Sequence, residues 1–108
     1  MADAAILDRV YRVILSRKGA DTANSHVARL FAKGRAKIAQ KVGEEGVEAA
    51  LAGLAGTEGE LVGEAADLIF HLFILLAERG IEPEAVWAEL EAREGRSGVE
   101  EKASRPKD

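Results

Sequence analysis

Cysteine is absent from the 108-residue chain, which removes disulfides, thiolate-bound zinc and cysteine nucleophiles together and fits a reducing compartment. Aromatic residues make up only 5% of it, three Phe, one Trp and one Tyr, so any core is mainly aliphatic. There is no long hydrophobic run. The most apolar stretch, Leu68 to Ala77, is interrupted by His71 and is about half of the ~20 residues that a membrane-spanning helix needs. It reads as a buried helix segment, and no membrane partner is expected. The opening Met1-Ala2-Asp3-Ala4-Ala5 has neither the basic start nor the apolar middle of a signal peptide, so a cytoplasmic location is expected. Positive charge is short as well: 15 Lys and Arg stand against 19 Asp and Glu, a net charge of −4 with a pI near 5.3. No broad cationic surface is available for a nucleic-acid backbone, and nucleic acid is not expected as a partner.

What is present suits a small folded domain. Hydrophobic residues are 47% and charged residues 31% of the chain, too apolar for an ordinary disordered tail. Over residues 4–18, Ile6, Leu7, Val10 and Ile14 recur at helical spacing, which predicts an amphipathic first helix. Ser25 is a candidate N-cap for a short helix over 26–33 that ends at Gly34. Ile38, Val42, Ala49, Ala50 and Leu51 predict a third helix from Arg35 to about Leu54, although Gly43 and Gly46 each cost about 0.5–1 kcal/mol there relative to Ala. Thr57 followed by Glu60 forms a capping box for a fourth helix that runs to Arg79 and stops at Gly80. Pro83 suits the first turn of a last helix over 83–94. No segment alternates with period two, so the fold class is all-α: four to five helices in a bundle. Residues 1–95 are read as the domain and 96–108 as a polar tail, either disordered or ordered by a ligand. A chain this short buries a small fraction of its surface, and a homodimer is expected to complete the bundle.

Acidic residues carry the chemical signal. Lys41, Glu44, Glu45 and Glu48 share one face of the third helix, and Glu60, Glu64, Asp67 and His71 form a polar stripe on a fourth helix whose remaining surface is apolar and expected to be buried nearly all round. Bringing the two faces together gathers Glu44, Glu45, Glu48, Glu64 and Asp67 between antiparallel helices. Carboxylates that close repel unless a cation neutralises them. An oxygen-only donor set favours Mg²⁺, with Mn²⁺ as substitute, over zinc. The bland alternative is a solvated acidic face. His71 either packs or touches a ligand, and Lys33, Lys37 and Lys41 are either a plain basic edge or phosphate ligands.

The segments Leu30-Phe31-Ala32-Lys33-Gly34, Lys41-Val42-Gly43-Glu44-Glu45-Gly46-Val47-Glu48 and Glu64-Ala65-Ala66-Asp67-Leu68-Ile69-Phe70-His71-Leu72 together resemble the phosphoribosyl-ATP pyrophosphohydrolase family, within the all-α nucleotide pyrophosphohydrolase (MazG-like) superfamily. The ending, with Arg93, Gly95, Ser97-Gly98 and Glu100 to Arg105, resembles that family's own. The chain departs from it at His26-Val27, where Tyr-Thr is usual, and at Gly46, where Ala is common. The resemblance implies hydrolysis of phosphoribosyl-ATP to phosphoribosyl-AMP and pyrophosphate in histidine biosynthesis, and it points to a homodimer. On that reading Glu45, Glu48, Glu64 and Asp67 hold the metal, Glu44 is a further ligand or the catalytic base, and Lys41 meets charge on the leaving pyrophosphate. Lys33 and Lys37 contact substrate, and Arg93, Ser97, Lys102 and Arg105 close over it. Two other readings stand beside this one: a house-cleaning nucleoside triphosphate pyrophosphohydrolase, and a non-catalytic helical interaction module.

Overall fold

The computed structural model describes residues 2–96, 98, 102–103 and 105–106. Five helices follow one another: α1 (Ala5–Ser16), α2 (His26–Lys33), α3 (Arg35–Ala55), α4 (Glu58–Glu78) and α5 (Pro83–Arg93), with no strand among the described residues. The expected all-α fold and its helix order are those of the structure, with ends shifted by two residues at most, as fraying allows.

Local chemistry sets these boundaries. Ser25 accepts a hydrogen bond from the Ala28 backbone N–H at the start of α2. Gly34 ends α2 and opens α3 at φ 99° and ψ 173°, a conformation essentially confined to glycine. The chain can therefore turn between two helices within one residue. At the start of α4 the capping box is complete: Glu60 N–H donates to Thr57 Oγ1, and Thr57 N–H donates to the Glu60 carboxylate, both at 3.1 Å.

The core lies where α1, α2, α3 and the C-terminal half of α4 meet, and is built from Tyr11, Ile14, Leu30, Ile38, Phe73, Ile74 and Ala77. Tyr11 packs edge-on against Phe73 at 5.8 Å, and its hydroxyl donates to the Ile81 carbonyl at 2.6 Å. That bond, with the Arg12–Glu82 ion pair, fixes the α4–α5 connection against α1. α3 and α4 pack along each other as an antiparallel hairpin closed by Gly56 and Thr57.

One expectation is corrected. α4 is not buried nearly all round: Leu61, Val62, Ile69 and Leu72 are exposed at 40, 65, 43 and 39%. Among the described residues α4 packs against α3, α1 and α2, and its Phe73 meets Trp87 of α5 at 6.3 Å, but these four side chains keep much of their surface in water. On α3, Val47, Leu51 and Leu54 are likewise exposed, and their spacing places them on one stripe.

The two kinds of glycine on α3 separate in stability. A Cβ at Gly46 meets no atom within 4 Å, so Gly46→Ala is expected to stabilise the fold by about 0.5–1 kcal/mol. Gly34→Ala, forced into a positive φ, is expected to destabilise it by about 1–3 kcal/mol. Urea denaturation of the two variants checks both signs.

Candidate active site

The acidic faces of α3 and α4 meet in the middle of the hairpin. One carboxylate oxygen from each of Glu45, Glu48 and Glu64 lies within 4.8 Å of the other two. Glu45 is buried, Glu64 half-buried and Glu48 exposed. Oε2 of Glu45 and Oε2 of Glu64 are buried with no hydrogen-bond partner among the described residues. Lys41 supplies positive charge, with Nζ 3.5 Å from Glu44 Oε1 and 3.7 Å from Glu45 Oε1. Three converging carboxylates, two of which also keep a buried oxygen without a partner, with no nitrogen or sulfur donor in the set, fit a hard divalent cation such as Mg²⁺ or Mn²⁺.

Two of these carboxylates are driven in opposite directions. Removal from water, reinforced by Glu48 and then by Asp67 and Glu45, raises the Glu64 pKa above the ordinary carboxylate value. A hydrogen bond from the Gln40 amide at 2.8 Å, with Lys41 and Lys37 adding to it, lowers the Glu44 pKa. Glu44 therefore stays ionised next to a cluster that gains from neutralisation.

The matching family model is described as phosphoribosyl-ATP pyrophosphohydrolase and covers residues 7–94. The chain belongs to the phosphoribosyl-ATP pyrophosphohydrolase family. Among similar proteins named phosphoribosyl-ATP pyrophosphatase, that of Paramagnetospirillum magneticum is 55% identical over 105 residues, spanning 97% of this chain and 96% of the relative. The protein of that name from Novosphingobium aromaticivorans is 56% identical over 105 residues, 97% of this chain and 98% of its own. The one from Trichlorobacter lovleyi is 54% identical over 100 residues, 93% of each chain.

Within this family member the remaining expected residues are distributed as follows. Asp67 is exposed on α4, one turn beyond Glu64, outside the converging trio yet close enough to raise the Glu64 pKa. Glu60, expected in the same stripe, is engaged in the α4 cap. Lys37 is half-buried on α3 and Lys33 exposed in the last turn of α2. Desolvation first, then the neighbouring His71, Arg29, Lys41 and Lys33, lowers the His26 pKa, so the Arg29, Lys41 and Lys33 cations gather about the His26 end of the site. Arg93 pairs with Glu89 at 2.9 Å on its own helix. Lys102 and Arg105 are exposed, and Ser97 lies outside the described residues.

A cavity of about 370 Å³ opens beside the trio and is lined by Glu48, Leu51, Ala52, Glu60 and Glu64. A larger one, about 630 Å³ beside Lys18, Thr22, Phe31 and Glu78, shares no residue with the acidic cluster. The carboxylates, rather than cavity size, place the site. Gln40 is the residue that sequence reading missed; its i, i+4 spacing to Glu44 was the available signal. A Cβ added at Gly43 or Gly46 would meet no atom within 4 Å.

The raised Glu64 pKa carries a stability signature in metal-free protein. The folded state binds this proton more tightly than the unfolded chain. The contribution is therefore fully present below the ordinary carboxylate pKa and is lost as pH rises through the raised value. Glu64→Gln is expected to raise the metal-free melting temperature at pH 7 and to flatten its fall between acidic and neutral pH, as read by thermal scans in chelator.

Proposed function

We propose that this chain hydrolyses phosphoribosyl-ATP to phosphoribosyl-AMP and pyrophosphate in histidine biosynthesis, in the cytoplasm, with Mg²⁺ as cofactor and Mn²⁺ as substitute. The observation that carries this reading is the convergence of Glu45, Glu48 and Glu64 oxygens, two of these residues each keeping a buried oxygen without a partner. Family membership supplies the substrate. Glu45, Glu48 and Glu64, joined by Asp67, hold the ion. When bound, it supplies charge neutralisation on phosphate oxygens and a lowered pKa for water.

The protein's own groups do the rest. Glu44, held ionised by Gln40, is in the right state to accept the proton of the attacking water. Lys41 stabilises the negative charge that grows on the departing pyrophosphate, and because that charge is largest in the transition state, its help is differential. Lys33 and Lys37 bind the outer phosphates. Arg93, Ser97, Lys102 and Arg105 close over the bound nucleotide, which makes residues 96–108 a substrate-ordered tail on the domain of residues 1–95.

The exposed stripe of Val47, Leu51 and Leu54 on α3, with Leu54 84% exposed, supports a homodimer in which a second copy covers the α3–α4 face. Covering it removes apolar side chains from water at about 25 cal/mol per Å². Leu51→Glu is expected to shift the protein to monomer in sedimentation velocity.

The deciding assay measures pyrophosphate release from phosphoribosyl-ATP and from a panel of nucleoside triphosphates, with and without Mg²⁺. Release from phosphoribosyl-ATP alone, and only with Mg²⁺, is expected; release from ordinary nucleotides with phosphoribosyl-ATP untouched sinks the reading. Lys41→Met is expected to lower kcat by about a hundredfold or more. Glu48→Gln and Asp67→Asn are expected to remove Mg²⁺ binding in calorimetry with helical content unchanged, and unaltered binding counts against the ligand set. Deleting residues 96–108 is expected to abolish hydrolysis of phosphoribosyl-ATP while circular dichroism stays the same.

A further inference from the structure

Lys41 and Glu60 lie on opposite sides of the acidic trio. Lys41 stands one turn before Glu45 on α3, and Glu60 one turn before Glu64 on α4. Because the two helices run antiparallel, Lys41 is on the His26 side of the trio and Glu60 on the side of the turn. The Arg29, Lys33 and Lys41 cations gather on the His26 side, whereas from Val42 to Phe70 the sequence has no Lys, Arg or His. With the outer phosphates at the lysines and the ion at the trio, the nucleoside part of the substrate extends towards the turn. There it meets the cavity of about 370 Å³ beside Glu48 and Glu64, a size ordinary for small-molecule sites.

The walls of that cavity narrow what it takes. Leu51, Ala52 and Ala55 of α3 supply apolar surface for a planar ring, and Glu48, Glu60 and Glu64 supply carboxylates. Glu48 and Glu64 are committed to the ion in the reading above; Glu60 is not. Thr57 N–H donates to Glu60 Oε1 at 3.1 Å, and its bonds to Thr57 hold the Glu60 carboxyl below the ordinary pKa, so Glu60 is an anion fixed in place. None of the ion pairs among the described residues includes it. A carboxylate has about four acceptor positions, so the cap leaves Glu60 able to accept from a ligand. An unneutralised anion on the wall of a nucleoside cavity favours a cationic base over a neutral one. The adenine of ATP is neutral at neutral pH. In phosphoribosyl-ATP the second sugar is joined to N1 of that ring, which leaves an amidine that holds a proton at neutral pH, with positive charge shared between N1 and the exocyclic nitrogen.

We propose that the Glu60 carboxylate accepts a hydrogen bond from the exocyclic N–H of a cationic, N1-substituted adenine, and that this charge pairing makes Glu60 the residue that separates the substrate from ordinary adenine nucleotides. This rests on the phosphoribosyl-ATP reading above and deepens it. Leu51 also belongs to the stripe assigned above to a second copy, whose approach would shield the pair from water and strengthen it.

The test measures binding of AMP, 1-methyl-AMP and N6-methyl-AMP to the full chain with Mg²⁺ by calorimetry, beside steady-state kinetics on phosphoribosyl-ATP. These monophosphates cannot release pyrophosphate; 1-methyl-AMP carries the cationic ring at neutral pH, and N6-methyl-AMP is its neutral isomer. Wild type is expected to bind 1-methyl-AMP about tenfold tighter than the other two. Glu60→Gln removes the charge but keeps a residue that completes a capping box. It is expected to erase the preference with helical content unchanged, and to raise KM for phosphoribosyl-ATP about tenfold with a smaller change in kcat. Glu58→Gln, at the first position of α4 and outside the cavity wall, is expected to keep the preference. The proposal is overturned if 1-methyl-AMP binds no more tightly than the other two, if Glu60→Gln keeps the preference, or if Glu58→Gln abolishes it, which would make the effect one of general negative charge. If a preference that depends on Glu60 is found while phosphoribosyl-ATP is not hydrolysed, the base contact stands and the substrate assignment falls.

Discussion

Three carboxylates held within 4.8 Å of one another repel, and a fold that keeps them together must resist the push from both ends. The hairpin of α3 and α4 does so. At one end Ile38 and Ile74 are fully buried in the common core; at the other, Gly56 and the Thr57–Glu60 capping box close the turn. Glu45, Glu48 and Glu64 stand between these two clamps, on helices too stiff to splay locally. The repulsion is therefore expressed as a raised Glu64 pKa rather than as separated helices, and under the proposed reading a bound cation would relieve it. Glycine at 43 and 46 leaves α3 without side chains at two positions beside these acids, at a small cost in helix stability.

Charge is segregated along the hairpin. The acidic trio occupies the stretch towards the turn, and Lys33, Lys41 and Arg29 act together on His26 at the other end. A chain of net charge −4 cannot draw in a polyphosphate by its overall field, so attraction must come from local positive charge. Lys41 links the two regions through its ion pairs with Glu44 and Glu45. Under the proposed reading a bound divalent cation would give those carboxylates a second partner and leave Lys41 to face the phosphates. Under the proposed reaction, metal binding and substrate binding then reinforce each other without a conformational change in the helices.

Much of this was legible in the sequence because the signals are local. Ser25, Gly34, the Thr57–Glu60 pair, Gly80 and Pro83 mark helix ends by hydrogen-bonding and backbone rules that need no knowledge of the rest of the chain. The spacing of the acids was legible for the same reason: helical periodicity fixes which residues share a face. What periodicity does not fix is which part of that face meets the neighbouring helix. Glu44 and Glu45 are adjacent and about 100° apart around α3; only packing against α4 decides that Glu45 is buried and Glu44 is left outside with Gln40. The same limit explains α4. An apolar circumference states that a helix is to be covered, and leaves open whether its own chain or another one covers it.

His71 shows how the two kinds of information combine. Its place on the polar stripe follows from counting residues, but the stripe is not uniform. Glu60 turns to the cap, Glu64 to the trio, Asp67 to solvent, and His71 into the interior. An imidazole entering an aliphatic interior gains from burying its ring and loses by desolvating two nitrogens. The Asp67 carbonyl compensates one of them. Had packing been the sole requirement, a phenyl ring at this position would have met it without the second loss, since Phe70 and Phe73 already stand on the same helix in similar surroundings. The uncompensated Nε2 is thus a cost that aliphatic packing alone does not explain.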